Sequence, residues 1–460
     1  TKNIPGLDPR TERAVSFMAR QILDARAPSN FLPTNPDLLL DTMRSGGANL
    51  VQGAMNAAED FKRNINGQSP VGMGNFKPGE HVAVTKGKVV FKNDLMELIQ
   101  YDPVTPKVNK EPVLILPAWI MKYYILDLSP QNSLVKWLTA QGHQVFIVSW
   151  KNPTSEDRNL GMDDYVRDGA LTAVDAVFSI AKDAPIHLTG YCLGGTLAMI
   201  TAAYMAHEKD NRLKSLSLFA AQGDFTEAGE MMVFITPGEV DYLEKMMKRQ
   251  GYLDTKQMAG AFQMLRSYDL IWSRMVKEYL MGQRGELFDI IAWNADATRM
   301  PYKMHSEYLE RLFLNNEFAN GRYSVLGKAI APENITIPVF AVGTEKDHVA
   351  PWKSVYKIHL MAKGEVTFVM TNGGHNAGIV SEPGHEHRHY RMASAKPGSA
   401  YETPDEWSEN AKDFEGSWWV AWDKWLKIRM NKEQIAAPKK AGNDKFKPLY
   451  DAPGRYVHQA

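Results

Sequence analysis

The stretch PIHLTGYCLGGTLAMITAAYMA, residues 185–206, decides how the rest of the chain is read. Ile186–Thr189 is a short apolar run suited to a strand buried on both faces. Thr196–His207 has the small, apolar character of a packed helix. Between them Gly190, Gly194 and Gly195 crowd around Cys192, the single cysteine of the chain. A sharp strand-to-helix corner drives its central residue into a sparsely allowed backbone conformation, and bulky neighbours do not fit around it. Glycines two before and two after the central residue are the spacing of a nucleophile elbow, with cysteine where serine is usual. The helix N-terminus supplies partial positive charge and a free backbone N–H, which favour a thiolate and a developing oxyanion. A lone cysteine ordinarily packs as a small buried hydrophobe. The glycines at elbow spacing argue instead for a thiol held out for chemistry.

Working outward, similar apolar runs at Val113–Leu116, Val145–Ser149, Leu216–Ala220, Val339–Val342 and Val366–Met370 predict further buried strands. Helix-like stretches fall between them at Gln131–Gln141, Met162–Lys182 and Trp352–Met361. This alternation implies an α/β protein, a mostly parallel sheet with helices on both faces. Residues 1–80 read as an N-terminal helical segment and linker, broken at Pro28, Pro33 and Pro36. HVAVTKGKVVFKN (81–93) reads as a hairpin turning at Lys86-Gly87. The catalytic core is expected over 81–221 and 334–432. Residues 222–333 carry helical patterns rich in Met and aromatics, too long for a loop, and are read as an inserted cap. The polar, proline-punctuated residues 433–460 read as a C-terminal surface strap.

Composition excludes several classes. The 460 residues exceed what one compact core usually holds. With 44% hydrophobic and 23% charged residues the chain is ordinary for a globular protein. Lys plus Arg balances Asp plus Glu at 53 each, so no global field draws it to nucleic acid or acidic membranes. One cysteine permits no internal disulfide, in keeping with a reducing compartment. The opening TKNIPGLDPRTER lacks an apolar signal core, and no apolar run approaches the roughly 18 residues that span a bilayer. A cytoplasmic protein without a transmembrane segment is expected. The chain opens on Thr1 rather than Met, which leaves open whether residues upstream have been lost. No glycine-rich phosphate loop is present, and no cofactor is expected.

A thiol needs a base or a positive neighbour to act at neutral pH. In this topology the partners follow in the order nucleophile, acid, histidine, on loops after later strands. TEKDHVAPW after IPVFAVG offers Asp347, and TNGGHNAGIV after EVTFVM offers His375. His375 is the expected general base for Cys192. Asp347 would orient the imidazole or polarise an incoming hydroxyl. His348 is disfavoured, because it adjoins the acid rather than occupying the final loop. For the oxyanion, the backbone N–H of Leu193 is one expected donor. Trp119, in LPAWIMKYY, is the other, ahead of Ile120. His385, His387 and His389 alternate, so on an extended segment they would share a face. Without an acidic or cysteine ligand beside them, no functional metal is expected.

The box Gly190-Tyr191-Cys192-Leu193-Gly194-Gly195 resembles the G-x-C-x-G-G of the polyhydroxyalkanoate synthases, especially classes I and II. So do APSNFLPTNP, KYYILDLSPQNSLV, VSWKNPT, FDIIAWNADATRMP, KDHVAPW, GSWWVAWDKWL and APGRYV. The likeness runs from about Asp24 to the C-terminus. It implies the α/β-hydrolase fold and an acyltransferase that polymerises 3-hydroxyacyl-CoA into polyester on cytoplasmic granules, as a dimer. Coenzyme A enters as the substrate thioester rather than as a cofactor. Cys192 then resembles the acyl-carrying nucleophile, Asp347 the acid and His375 the base. Ala118, Met121, Ser273 and Asn376 depart from the family pattern, which bears on substrate chain length and rate more than on reaction class. Two other readings fit the same fold: a cysteine esterase or thioesterase releasing soluble hydroxy acid, and a catalytically silent granule-binding protein.

Overall fold

A computed structural model describes residues 6–460, apart from the side chains at positions 9, 10, 261 and 262. The first five residues of the expected N-terminal segment lie outside the described residues. The chain divides into two units, one of residues up to Phe76 with Glu230–Thr236 and Asp254–Ala295, the other holding the remainder. Of the stretch read as a cap, 230–236 and 254–295 thus fall in the first unit and the rest in the second.

The first unit is helical. Helices α1 (Pro9–Ala25) and α2 (Pro36–Arg44) are separated where the prolines stand, and α3 (Ala48–Ile65) follows after Gly46-Gly47. Pro36 occupies the first helical position of α2, where its missing N–H costs nothing, and Asn35 caps the helix by accepting from Leu38 N–H at 3.1 Å. On α3, Asn49, Gly53 and Asn56 share one face. Asn49 donates to the Leu280 carbonyl at 2.9 Å and Asn56 to that of Glu278 at 3.0 Å. A Cβ at Gly53 would run into the Tyr279 backbone, so glycine is what lets these two segments approach.

The second unit is built on an eleven-stranded sheet among the described residues. In chain order its strands are β1 (Gly87–Lys92), β2 (Met96–Tyr101), β3 (Val113–Leu116), β4 (Val145–Trp150), β5 (Ile186–Tyr191), β6 (Leu213–Phe219), β7 (Val339–Thr344), β8 (Val366–Thr371), β9 (His389–Ala395), β10 (Lys412–Glu415) and β11 (Tyr450–Asp451). Their spatial order is β10-β9-β8-β7-β6-β5-β3-β4-β2-β1-β11. The six strands from β4 to β8 run parallel, with antiparallel strands at both edges. Each parallel strand coincides with one of the apolar runs. Nearly every residue in them is buried, as a sheet covered on both faces requires. Short helices follow the strands: α4 (Leu134–Ala140), α5 (Thr172–Ile180), α6 (Leu193–His207) and α7 (Trp418–Arg429). Trp422 and Trp425 on α7 donate their indole N–H groups to Ser217 of β6 and Thr367 of β8, at 2.9 and 3.1 Å.

Four expectations are corrected. The hairpin turns at residues 93–95 rather than at Lys86-Gly87. Asn93 Oδ1 accepts from Leu95 and Met96 N–H at 2.9 and 2.8 Å there, while Ala83, expected in the first arm, donates to the Asp127 carbonyl at 2.8 Å. Helix α6 begins at Leu193, directly after the cysteine, rather than at Thr196. Of the three alternating histidines only His389 lies in a strand; His387 has φ 60° in the preceding turn, so the three do not share a strand face. The C-terminal segment is more than a surface strap. It adds β11 to the sheet edge, and its buried end is anchored by Glu97, whose carboxylate accepts from the Tyr450 hydroxyl at 2.5 Å and from Arg455 and Tyr456 N–H at 2.9 and 3.1 Å.

Candidate active site

Three loops at the carboxyl ends of β5, β7 and β8 meet. The first is the corner itself. Cys192 has φ 53° and ψ −124°, a conformation that costs a non-glycine residue energy and that the surroundings must hold in place. The clamps are visible. Cys192 N–H donates to the Phe219 carbonyl of β6 at 2.9 Å, and its own carbonyl accepts from Gly195 N–H at 2.9 Å. A Cβ at Gly190 would strike Gly195, and one at Gly195 would strike the Ala221 side chain. One at Gly194 would strike the Leu116 carbonyl and the Pro117 backbone. Each glycine of the box therefore removes a different collision. Gly194 in particular lets the first turn of α6 press against the end of β3. Leu193, as the first helical residue, has an N–H with no acceptor inside the helix.

Asp347 follows β7, and its carboxylate is saturated. Oδ1 accepts from Val349 and Ala350 N–H, both at 2.8 Å; Oδ2 accepts from Thr344 Oγ1 at 3.2 Å and lies 2.7 Å from His375 Nδ1. An ionised carboxylate only accepts, so Nδ1 carries the proton and the opposite ring nitrogen is left for another partner. Cys192 stands near enough that its charge acts on the imidazole. The His375 loop is pinned from behind, where Trp418 and Trp419 of α7 donate to the Gly378 and Ile379 carbonyls at 3.0 and 2.9 Å.

The electrostatics follow from this contact set. Burial opposes the charge on Asp347, but His375 and the backbone N–H groups outweigh it and hold the carboxyl below its ordinary 3.8. Burial likewise opposes an imidazolium, yet Asp347 and then Cys192 hold His375 well above its ordinary 6.5. The constellation thus favours a charged histidine beside an ionised Asp347. Asp347 pairs with His375 and not with its neighbour His348.

An aromatic wall borders the thiol. Tyr308 is close enough that burial and then the Cys192 charge push its phenol well up. Its ring packs against Trp119 and Phe313 at centroid distances of 6.1 and 5.1 Å, and Trp119 leans on Tyr165 at 5.7 Å. Trp119 sits in the loop after β3, its carbonyl accepting from Thr298 Oγ1 at 2.8 Å. Tyr308 and Tyr165 were not legible as site residues, because both lie in π-helical turns with no local signature. No cluster of three or more His, Cys, Asp or Glu side chains among the described residues is placed to hold a metal. No helix among them is long and apolar enough to cross a membrane.

Residues 1–138 match the family model described as the poly-beta-hydroxybutyrate polymerase (PhaC) N-terminus, and residues 111–382 match that of the alpha/beta hydrolase fold. The chain is 41% identical over 455 residues to the poly(3-hydroxyalkanoate) polymerase of Methylorubrum extorquens, covering 98% of this chain and 74% of that one. The chain belongs to the poly(3-hydroxyalkanoate) polymerase family. Another member, the polymerase subunit PhaC of Cupriavidus necator, is 35% identical over 456 residues, 98% of this chain and 76% of its own. Polymerase 1 of Ectopseudomonas oleovorans is 32% identical over 453 residues, 98% and 80%. The family likeness therefore spans both units.

Proposed function

We propose that this protein is an acyltransferase that polymerises 3-hydroxyacyl-CoA thioesters into polyester through a thioester on Cys192. The observation that carries this reading is the 2.7 Å pairing of His375 with Asp347 beside the elbow that carries Cys192. The Cys192 thiolate attacks the acyl-CoA carbonyl, the bond to the coenzyme A sulfur breaks, and protonated His375 gives its proton to the departing thiolate. The exchange of one thioester for another is nearly isoenergetic. In the second step His375 removes the proton from the hydroxyl of another 3-hydroxyacyl-CoA. That oxygen takes the acyl group to form an ester, and Cys192 leaves as thiolate. Cys192 then attacks the extended thioester, so one coenzyme A is released per unit added. No cofactor is needed.

Leu193 and Trp119 backbone N–H groups are the proposed oxyanion donors, at the helix start and on the loop that Gly194 lets approach it. The aromatic wall of Trp119, Tyr165 and Tyr308 suits an oily product and keeps water, the competing nucleophile, from the acyl-enzyme. Action as a dimer on cytoplasmic granules belongs to the same proposal. It is supported by exposed apolar side chains on α1 and α3, among them Leu23, Val51 and Ile65 at 70, 64 and 68% exposure.

Feeding 3-hydroxybutyryl-CoA and following both coenzyme A release and the acyl group tests the reading. Coenzyme A release with insoluble polyester is the expected result. Soluble hydroxy acid would replace it with a hydrolase, and no release would point to a silent surface protein.

A further inference from the structure

In the sheet, β5 and β8 are separated by β6 and β7. At about 4.8 Å per strand, the elbow and the His375 loop leave strand ends roughly 14 Å apart. The strands alone therefore do not bring the imidazole to the thiol, and the loop has to reach across two neighbours. One contact bridges this gap. Tyr191, the last residue of β5, donates its phenol hydrogen to Asn376 Oδ1 at 2.6 Å. Its ring also lies against the His375 imidazole, with centroids 5.8 Å apart and planes at 36°. Tyr191 precedes Cys192 and Asn376 follows His375, so the bond joins the neighbour of the thiol to the neighbour of the imidazole.

We propose that the Tyr191–Asn376 hydrogen bond is a positioning contact that sets the reach of His375 toward Cys192. The inference rests on the reading in which His375 activates Cys192. Asp347 holds Nδ1 of the ring but, as a single hydrogen bond, leaves the imidazole able to swing about that contact. Tyr191 removes this freedom in two ways, by covering the ring and by tying down the next residue. Asn376 is also rigid from the far side, because its carbonyl accepts from Ile379 and Val380 N–H at 3.1 and 3.0 Å. A pull on Asn376 is therefore transmitted to the turn that carries His375. Tyr191 is 1% exposed. Burial, then Cys192 and Asp347, push its phenol well above the ordinary value, so it remains a donor throughout the working range.

The test is a double-mutant cycle on the full chain with Tyr191→Phe, Asn376→Leu and both together. The main readout is the rate of Cys192 alkylation by iodoacetamide at neutral pH, which needs neither polymer nor acyl-CoA. Each single change is expected to slow alkylation about 5- to 10-fold and to lower kcat similarly, with KM for 3-hydroxybutyryl-CoA within about 2-fold of wild type. The double change replaces the Tyr191–Asn376 polar pair by an apolar one, so its slowing should be clearly less than the product of the two singles. Should Asn376→Leu fail to fold, Tyr191→Phe alone decides through alkylation. Wild-type alkylation rates in the single variants, or effects that multiply in the double, overturn the proposal. Failure to make polymer with the alkylation pattern intact would overturn the polymerase reading and leave this one standing.

Discussion

Two buried histidine–aspartate pairs lie at opposite ends of the same sheet, and they are alike in length. His375 Nδ1 is 2.7 Å from Asp347 beyond the carboxyl end of β8, and His143 Nε2 is 2.7 Å from Asp423 before the amino end of β4. Both aspartates are held below their ordinary 3.8, with burial opposing and the histidine partner prevailing. What differs is the third neighbour. The other ring nitrogen of His143 meets the Asn109 side-chain amide at 3.3 Å, and Asp423 also accepts from Lys427 at 2.9 Å. His375 instead has a thiol on a strained corner nearby. A hydrogen-bonded His–Asp pair is thus a structural unit that chemistry can borrow. It becomes catalytic only where a nucleophile and a path for substrate adjoin it.

The comparison breaks first on activity. His375→Ala is expected to lower kcat for coenzyme A release by about 10³- to 10⁴-fold, and Asp347→Asn by about 10²-fold. A loss of stability with no loss of kcat is expected from His143→Ala, which leaves Asp423 short of a partner. Urea melts should show a loss of about 3 kcal/mol, while kcat per folded molecule stays at the wild-type value.

A smaller effect sharpens the contrast through pH. His375 binds its proton more tightly folded than unfolded. Its contribution to stability is therefore complete below its ordinary 6.5 and is lost as pH rises through the raised folded value. Asp423 binds its proton more weakly folded, so its contribution is complete above 3.8 and is lost as pH falls through the lowered folded value. The stability gap between wild type and His375→Ala should shrink from neutral toward alkaline pH by on the order of 1 kcal/mol per pH unit near the folded value. The gap for Asp423→Asn should shrink only in acid. Parallel melts across pH check both.

Where the sequence could be read, the physics was local. The six parallel strands announce themselves because burial on both faces demands a continuous apolar run. Cys192, Asp347 and His375 each stand on a loop directly after such a run. The glycine box is legible because each glycine answers a collision within a few residues or with the adjacent strand end. Strand β2, MELIQY, is not legible in this way. Its buried Glu97 is satisfied by Tyr450, Arg455 and Tyr456 in the C-terminal tail, a long-range contact that leaves no pattern near residue 97. Lys86-Gly87 looks like a turn in the sequence, whereas the Asn93 side chain makes the one in the fold. Tyr308 and the Tyr191–Asn376 bond are hidden for the same reason as Glu97: their partners are remote in sequence.

The central claim is that the elbow thiol, activated by His375, carries the acyl group. The direct measurement is rapid-quench peptide mapping by mass spectrometry after mixing with 3-hydroxybutyryl-CoA. A hydroxyacyl thioester on the peptide containing Cys192, absent in Cys192→Ala and formed about 10³-fold more slowly in His375→Ala, is the predicted result. Acylation at another residue, or full turnover by Cys192→Ala, would contradict it.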